Sequence, residues 1–140
     1  MEYKDTRISK LRTYLFSIID TLTTDKSYQI NANMLDNDIN NYSLDKIPTA
    51  STVSKWVNGV EIHRDVYSFR SRMAHSQNTI NNLLNIGFFE KFESIIKSNN
   101  GIQNIECLNC GTMLSSDTNT AEFDIQIQIT YREEKTLWLK

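Results

Sequence analysis

At 140 residues, with 39% hydrophobic and 23% charged side chains, the chain has the length and balance of one globular domain that buries its core without disulfides or metal. A formal net charge of −2 gives the free domain no electrostatic reason to grip phosphate or an anionic membrane, which leaves nucleic acid as something it encircles without holding. The early apolar run at 14–19 is broken by Ser17 and follows a mixed-charge stretch, so it reads as neither a signal peptide nor a membrane span, and the chain is expected in the cytoplasm where it is made.

Residues 5–24 place Ile8, Leu11, Leu15, Ile18, Ile19 and Leu22 at spacings of three and four, the stripe of a helix lying on a core. The stretch 25–42 mixes a short strand at 28–30 with an Asn/Asp-rich segment at 36–41 that reads as an exposed loop. Pro48 pushes Ile47 towards extended geometry and marks an edge or the start of the next strand. Over 52–72, Asn58-Gly59 between β-rich arms predicts a two-residue hairpin, with Val57 opposite Val60 and Trp56 opposite Glu61. On the returning arm Val60, Ile62 and Val66 share one parity while Tyr67, Phe69 and Met73 share the other. A bulge near 64–66 would reconcile them, with the first part of the hairpin projecting beyond the sheet.

The 3.6 period returns over 77–100, where Ile80, Leu83, Leu84, Phe88, Phe89, Phe92, Ile95 and Ile96 form a wide apolar face. Ser76 is the expected N-cap and Asn99-Asn100-Gly101 the stop. Gly87 inside this helix costs about 1 kcal/mol relative to Ala, which points to a close contact there. An irregular strand or strand pair at 102–114 and a polar turn at 115–120 precede the clearest signal in the chain. Ala121, Phe123, Ile125, Ile127, Ile129 and Tyr131 alternate without a fault with Glu122, Asp124, Gln126, Gln128, Thr130 and Arg132. Because a one-residue slip would exchange the two faces, this strand has a specified register in an antiparallel sheet with one face on a core. The fold class is therefore α+β, a mainly antiparallel sheet with two main amphipathic helices packed on it, in a single domain over 1–140.

Candidate chemistry is sparse. Cys107 and Cys110 have the spacing of half a zinc knuckle, but no second ligand pair stands at workable distance in the sequence, so no metal is expected there. His63, Asp65 and Tyr67 share a strand parity and could form an acid-base trio, although without a nucleophile turn or a second carboxylate cluster a solvated strand face is the plainer reading. Arg64, Arg70 and Arg72, with Lys55 and His63, form a basic stretch that could touch phosphate or line an interface. Trp56 beside the hairpin tip is an unusual side chain for a quiet surface, and with Val57, Asn58 and Val60 it makes a candidate oligomer or partner interface. The polar parity Glu122, Asp124, Gln126 and Gln128 is either a solvent-exposed sheet face or the wall of a channel that repels phosphate. The residues themselves identify neither a catalytic centre nor a cofactor site, so no enzyme activity is expected.

Three segments carry a resemblance: Ile47-Pro48 with 53–59 and 67–72; Asn81-Asn82 with 87–92; and 119–131. Together they look like a family of small minor capsid or tail-completion proteins of long-tailed phages and prophages, and the likeness spans roughly residues 5–132. That family is similar in size and element order to tail terminators. The resemblance implies a tail-terminator-like domain whose copies form a ring, a hexamer in such proteins, capping the tail tube and joining it to the head connector. The implied partners are other copies of the chain, the tail tube protein and head–tail connector proteins, with DNA passing through unbound and no membrane. The implied location is the virion tail or neck, after assembly in the host cytoplasm. The CxxC pair falls outside the pattern, and 133–140 reads as a C-terminal extension. A head-completion or tail-tube-like protein is the alternative within the same class. A small ligand-binding or enzymatic α+β domain, with a pocket lined by His63, Asp65 and Tyr67, is the alternative from another class.

Overall fold

A computed structural model describes residues 2–23, 28–35, 39–48, 52–55, 59–75, 79–98, 104–109, 111–116 and 119–134. The first long helix, α1 (Arg7–Leu22), starts where its sequence supplies a cap: the Thr6 hydroxyl accepts from the Ser9 amide at 3.2 Å, satisfying one of the donors that a helix start leaves open. Leu11, Leu15, Ile18 and Ile19, at helical spacing, are all buried. Strands β1 (Ile30–Ala32), β2 (Asn41–Ile47), β3 (Thr52–Lys55) and β4 (Val60–Ala74) follow. Helix α2 (Thr79–Ser98) then leads to β5 (Ile105–Cys107), β6 (Thr112–Ser116) and β7 (Thr120–Glu134).

All seven strands belong to one sheet in the order β1-β2-β4-β7-β5, with β3 also on β4 and β6 also on β7. Every pairing is antiparallel except β1 with β2, so the fold is α+β on a mostly antiparallel mixed sheet. Its spine is the pair β4 and β7, which stays in register from Val60↔Glu134 to Ala74↔Thr120. Ala121, Phe123, Ile125, Ile127 and Ile129 are buried on the same side as Tyr67, Phe69 and Met73. Both helices cover that side. Tyr42, Phe69 and Phe92 form an aromatic column from β2 through β4 to α2, with centroids 5.3 and 5.5 Å apart. Burying one such ring or aliphatic side chain is worth about 1.5–3 kcal/mol, so this layer supplies the main stabilising term.

Several sequence expectations require correction. The short strand falls at 30–32, not 28–30, and pairs parallel with β2. Strand β2 begins at Asn41, inside a segment read as loop up to that residue, and ends directly before Pro48. In the hairpin, Lys55 lies opposite Glu61 and Ser54 opposite Ile62, one residue away from the register of a two-residue Asn58-Gly59 turn. Gly59 does adopt the expected positive φ of 87°, while Trp56, Val57 and Asn58 lie outside the described residues. No bulge interrupts β4 against β7 near 64–66. The irregularity sits on β3, between Thr52 and Ser54, and the returning arm belongs to the sheet from Val60 onward rather than projecting from it.

Helix α2 departs from expectation as well. Phe89, Phe92 and Ile96 are core residues and Phe88 and Ile95 are half-buried, whereas Ile80, Leu83 and Leu84 are 68%, 60% and 66% exposed. At 100° per residue these three, with Gly87, sit on the side of the helix opposite Asn85, Phe89, Phe92 and Ile96. The start of α2 is thus apolar on two sides, and only one of them meets the sheet. Asn85 fixes that side by donating to the Ala74 carbonyl at the end of β4, 2.7 Å away. Among the described residues, no atom outside the helix's own backbone and the neighbours of Gly87 lies within 4 Å of where a Cβ on it would stand, so the expected close contact at this glycine is not made there.

Candidate functional site

The alternation of β7 and β4 puts Glu122, Asp124, Gln126 and Gln128 on the sheet face away from the helices, beside Ser68, Arg70 and Arg72. A strip of acids and amides facing bulk water would be a phosphate-repelling surface, but here the acids are held by partners. Arg70 lies between two strands: its Nε donates to Asp45 Oδ2 at 2.6 Å and its Nη1 to Glu122 Oε1 at 3.0 Å. Burial disfavours the Arg70 charge, yet the hydrogen bonds and charges of Asp45 and Glu122 outweigh it and raise its pKa. Ser68 donates to Asp124, which is only 7% exposed. Ser43 donates to Asp45 at 2.7 Å and accepts from the Met34 amide, carrying the network on towards β1. At the other end Gln128 Nε2 donates to Glu106 Oε1 at 2.6 Å. This face is a cross-strand network of matched charges, with Gln126 and the exposed Arg64 on the same parity.

The core-facing parity of β4 carries a second polar group of residues. Glu61, His63 and Asp65 continue the row of Tyr67 and Phe69, and all are buried. The Asp65 carboxylate receives Arg7 Nε from the first turn of α1 at 3.0 Å, lies 3.5 Å from Lys46 Nζ, and accepts from the Tyr67 hydroxyl at 3.5 Å. Arg7 also lies 4.3 Å above the ring of Tyr131, which stacks on His63. Glu61 Oε2 is 2.9 Å from His63 Nε2. Burial and then the neighbouring Asp65 charge push the Tyr67 hydroxyl up to about 12, against the opposing influence of Arg7. Each oxygen of Asp65 thus faces a cation, an arrangement that ties α1 to the sheet.

The structure therefore brings His63, Asp65 and Tyr67 onto one face, as their parity requires, and buries all three. It separates His63 from Arg64, Arg70 and Arg72, which point to the opposite face. Val60, part of the candidate interface, is 4% exposed. Cys107 is half-buried on β5 against the core, and Cys110 lies outside the described residues. Among the described residues, no group of three or more His, Cys, Asp or Glu is arranged to hold a metal ion. Sequence reading did not find the partners of the two acids, Arg7 and Lys46 for Asp65 and Arg70 for Asp45. Arg7 and Asp65 stand 58 positions apart, and only the pairing of elements joins them.

Neither the models of known protein families nor the curated proteins include a match to this chain. Among the described residues, no helix is long and apolar enough to cross a membrane.

Proposed function

We propose that this chain is a structural virion protein, a tail-terminator or tail-completion subunit whose ring caps the tail tube and joins it to the head connector. One observation carries the reading most: both helices lie on one face of the sheet, and the other face carries a polar strip formed by Ser68, Arg70 and Arg72 on β4 and Glu122, Asp124, Gln126 and Gln128 on β7, with the buried Val66 and Val60 further along β4. A subunit of that build can turn its polar sheet face towards a DNA path while its sides meet neighbours. The likeness of 47–72, 81–92 and 119–131 to tail-completion proteins supports the same reading. In this role the protein has no reaction cycle; it works by closing a ring, ending tube growth and docking on the connector, with DNA passing unbound. The location follows from the role, in the tail or neck of the virion.

The test is a mass measurement in solution together with tube assembly. Purified protein should form a closed ring of defined mass and should stop the elongation of tubes made by the cognate tail tube protein when added below stoichiometry. A monomer that leaves tube length unchanged would reject the proposal. The second reading, a small ligand-binding or enzymatic domain, would rest on His63, Asp65 and Tyr67, whose burial, with Asp65 held by Arg7 and Lys46, suits a structural charge cluster better.

A further inference from the structure

Ten large hydrophobic side chains are substantially exposed among the described residues, and four of them lie on the first half of α2. Ile80, Leu83, Leu84 and Ile86 are 68%, 60%, 66% and 53% exposed. On a helix of 3.6 residues per turn, Ile80, Leu83, Leu84 and Gly87 share a stripe about 100° wide, with Ile86 on its border. The stripe points away from the side that Asn85, Phe89, Phe92 and Ile96 turn to the core. A contiguous apolar patch of this kind on a folded chain marks a contact surface.

The subunit does not bring an apolar segment of its own to this patch. Asn85 donates to the Ala74 carbonyl at 2.7 Å, so the patch stands at the Ala74 end of the β4 and β7 spine. Segment 135–140, which carries Leu137, Trp138 and Leu139, leaves β7 at the other end, where Glu134 pairs with Val60. The strand from Val60 to Ala74 spans about 45 Å, whereas six residues extend at most about 20 Å. The short links that flank the Ala74 end, 76–78 and 117–118, are Ser-Gln-Asn and Asp-Thr, without an apolar side chain.

The patch is complementary to its own reverse. Laid antiparallel on a second α2, with Leu83 of each copy beside Leu84 of the other, it brings Ile80 of each copy over Gly87 of the other, because 80 and 87 stand equally far from the midpoint. Gly87 is the hollow in this arrangement: among the described residues, no atom outside the helix's own backbone and the neighbours of Gly87 lies within 4 Å of where its Cβ would stand, so a large side chain from another molecule has room to reach the backbone. A mid-helix glycine is unfavourable by itself, and a seat for Ile80 gives the position a reason. A parallel pair would set Gly87 on Gly87 and leave a gap where close packing is needed. Four aliphatic side chains more than half exposed amount to roughly 400–500 Å2 per copy, so two patches face to face bury about 1,000 Å2, the area at which a specific interface begins.

We infer that two copies of this chain pair through α2 in antiparallel register about a twofold axis, with Leu83 and Leu84 at the centre and Ile80 of each copy seated on Gly87 of the other. A twofold contact uses the same surface on both copies and cannot close a ring by itself. The pairing therefore stands apart from the ring reading. It occupies the helix side of the subunit and leaves the polar sheet face and the sheet edges to other neighbours.

The test follows mass against concentration by sedimentation velocity on the full chain, with circular dichroism as the check on folding. Wild-type protein should pair, as a dimer or as an assembly with an even number of copies. Leu83→Asp puts a charge at the centre of the contact and should raise the dissociation constant of the pair at least about tenfold. Gly87→Leu fills the hollow and should weaken pairing by a similar factor, although its side chain meets only open space within the subunit and the fold should be kept. Ile80→Ala added to Gly87→Leu moves the projecting side chain to 87 and the hollow to 80, and should return the dissociation constant to within about threefold of the wild type. That rescue belongs to the antiparallel register; against any other surface the two changes add as losses. A wild-type monomer at every concentration, a pair indifferent to Leu83→Asp, or a double variant no tighter than Gly87→Leu would each overturn the inference. If Gly87→Leu does not fold, Gly87→Ala takes its place in the same cycle. Rings that cap tubes and ignore Gly87→Leu would remove this pairing and keep the tail-terminator reading, whereas a rescued pair that leaves tubes uncapped would do the reverse.

Discussion

Arg70 on β4 reaches Glu122 on β7 at 3.0 Å while holding Asp45 on β2 at 2.6 Å, so a single guanidinium joins three neighbouring strands across the polar face. Its planar fork supplies both directed hydrogen bonds, which the point charge of a lysine cannot do from one position. All three side chains are partly screened by solvent, at 27%, 21% and 17% exposure, and that lowers the worth of each pair. Arg70→Met should therefore cost about 1–3 kcal/mol in urea denaturation, and Arg70→Lys should recover less than half of it. A loss within 0.5 kcal/mol, on the order expected of an ordinary surface site, would show the network to be energetically idle.

Ile127 is fully buried at the centre of β7, opposite Tyr67, and no solvent can fill the space its side chain leaves. Ile127→Ala should destabilise the fold by about 2–5 kcal/mol, the range for an aliphatic truncated in a packed core. Leu83→Ala, on the outer side of α2 at 60% exposure, should change monomer stability by no more than about 0.5 kcal/mol. Chemical denaturation of the two side by side separates a core face from an outer one on residues of nearly equal hydrophobicity.

The contrast between these two residues also shows what the sequence could reveal. In β7 a period of two assigns each residue to a face, and the alternation has no exception, so register and core face were legible together, while the burial of Asp124 on the polar parity was not. At the start of α2 the period of 3.6 was legible, but apolar residues occupy both sides of the helix, and spacing alone does not say which side meets the sheet. Strand β2 was obscured because Asn41, Ser43 and Asp45 have weak strand preference and follow an Asn/Asp-rich segment; pairing with β4 makes it a strand. The hairpin signal of Asn58-Gly59 was sound for φ at Gly59, yet the register is already one residue off at Lys55↔Glu61, and the irregularity between Thr52 and Ser54 shifts it by one more. The parity shared by Glu61, His63, Asp65 and Tyr67 was visible, while the cations that make their burial tolerable come from α1 and β2. Long-range pairing of that kind leaves no local mark.

Gly111 combines two requirements. Its φ is +72°, and a Cβ there would stand 2.5 Å from Phe89 Cγ, a ring that is itself 2% exposed and unable to retreat. Gly111→Ala should cost at least about 1–2 kcal/mol for the backbone conformation alone, with the steric clash added. Phe89→Ala removes the Cγ and Cδ2 that clash, so the double variant should be less destabilised than the sum of the singles. Strict additivity in a double-mutant cycle would show that the two positions do not press on each other.

Tyr67 and Tyr28 both have hydroxyls pushed up to about 12, chiefly by burial, with Asp65 and Asp20 adding to it. Between the ordinary tyrosine value of 10.0 and about 12, the unfolded chain releases these protons while the folded one keeps them. Their contribution to stability is therefore complete below about pH 10 and falls as pH rises towards about 12. Denaturation midpoints measured from pH 8 to 12 should decline in the wild type, and Tyr67→Phe should flatten part of that decline. An unchanged slope in the Tyr67→Phe protein would mean its hydroxyl titrates alike in both states.

The polar sheet face gives the proposed DNA path its sharpest test at Gln126. Glu122 is held by Arg70 and Asp124 by Ser68, so placing lysine at either would break a structural contact and confuse folding with function. Gln126 is half-buried on the same parity and lies between Asp124 and Gln128, which makes it the position where charge can be added with least disturbance. If that face borders the DNA, Gln126→Lys repeated around a ring adds a circle of cations that phosphate can bind with release of counterions. The substituted protein should fold and assemble as the wild type does. Particles built with it should eject DNA more slowly, and the delay should shrink as salt rises and screens the new contacts. Normal ejection at low salt would place this face away from the genome, and a delay insensitive to salt would assign the effect to altered assembly instead.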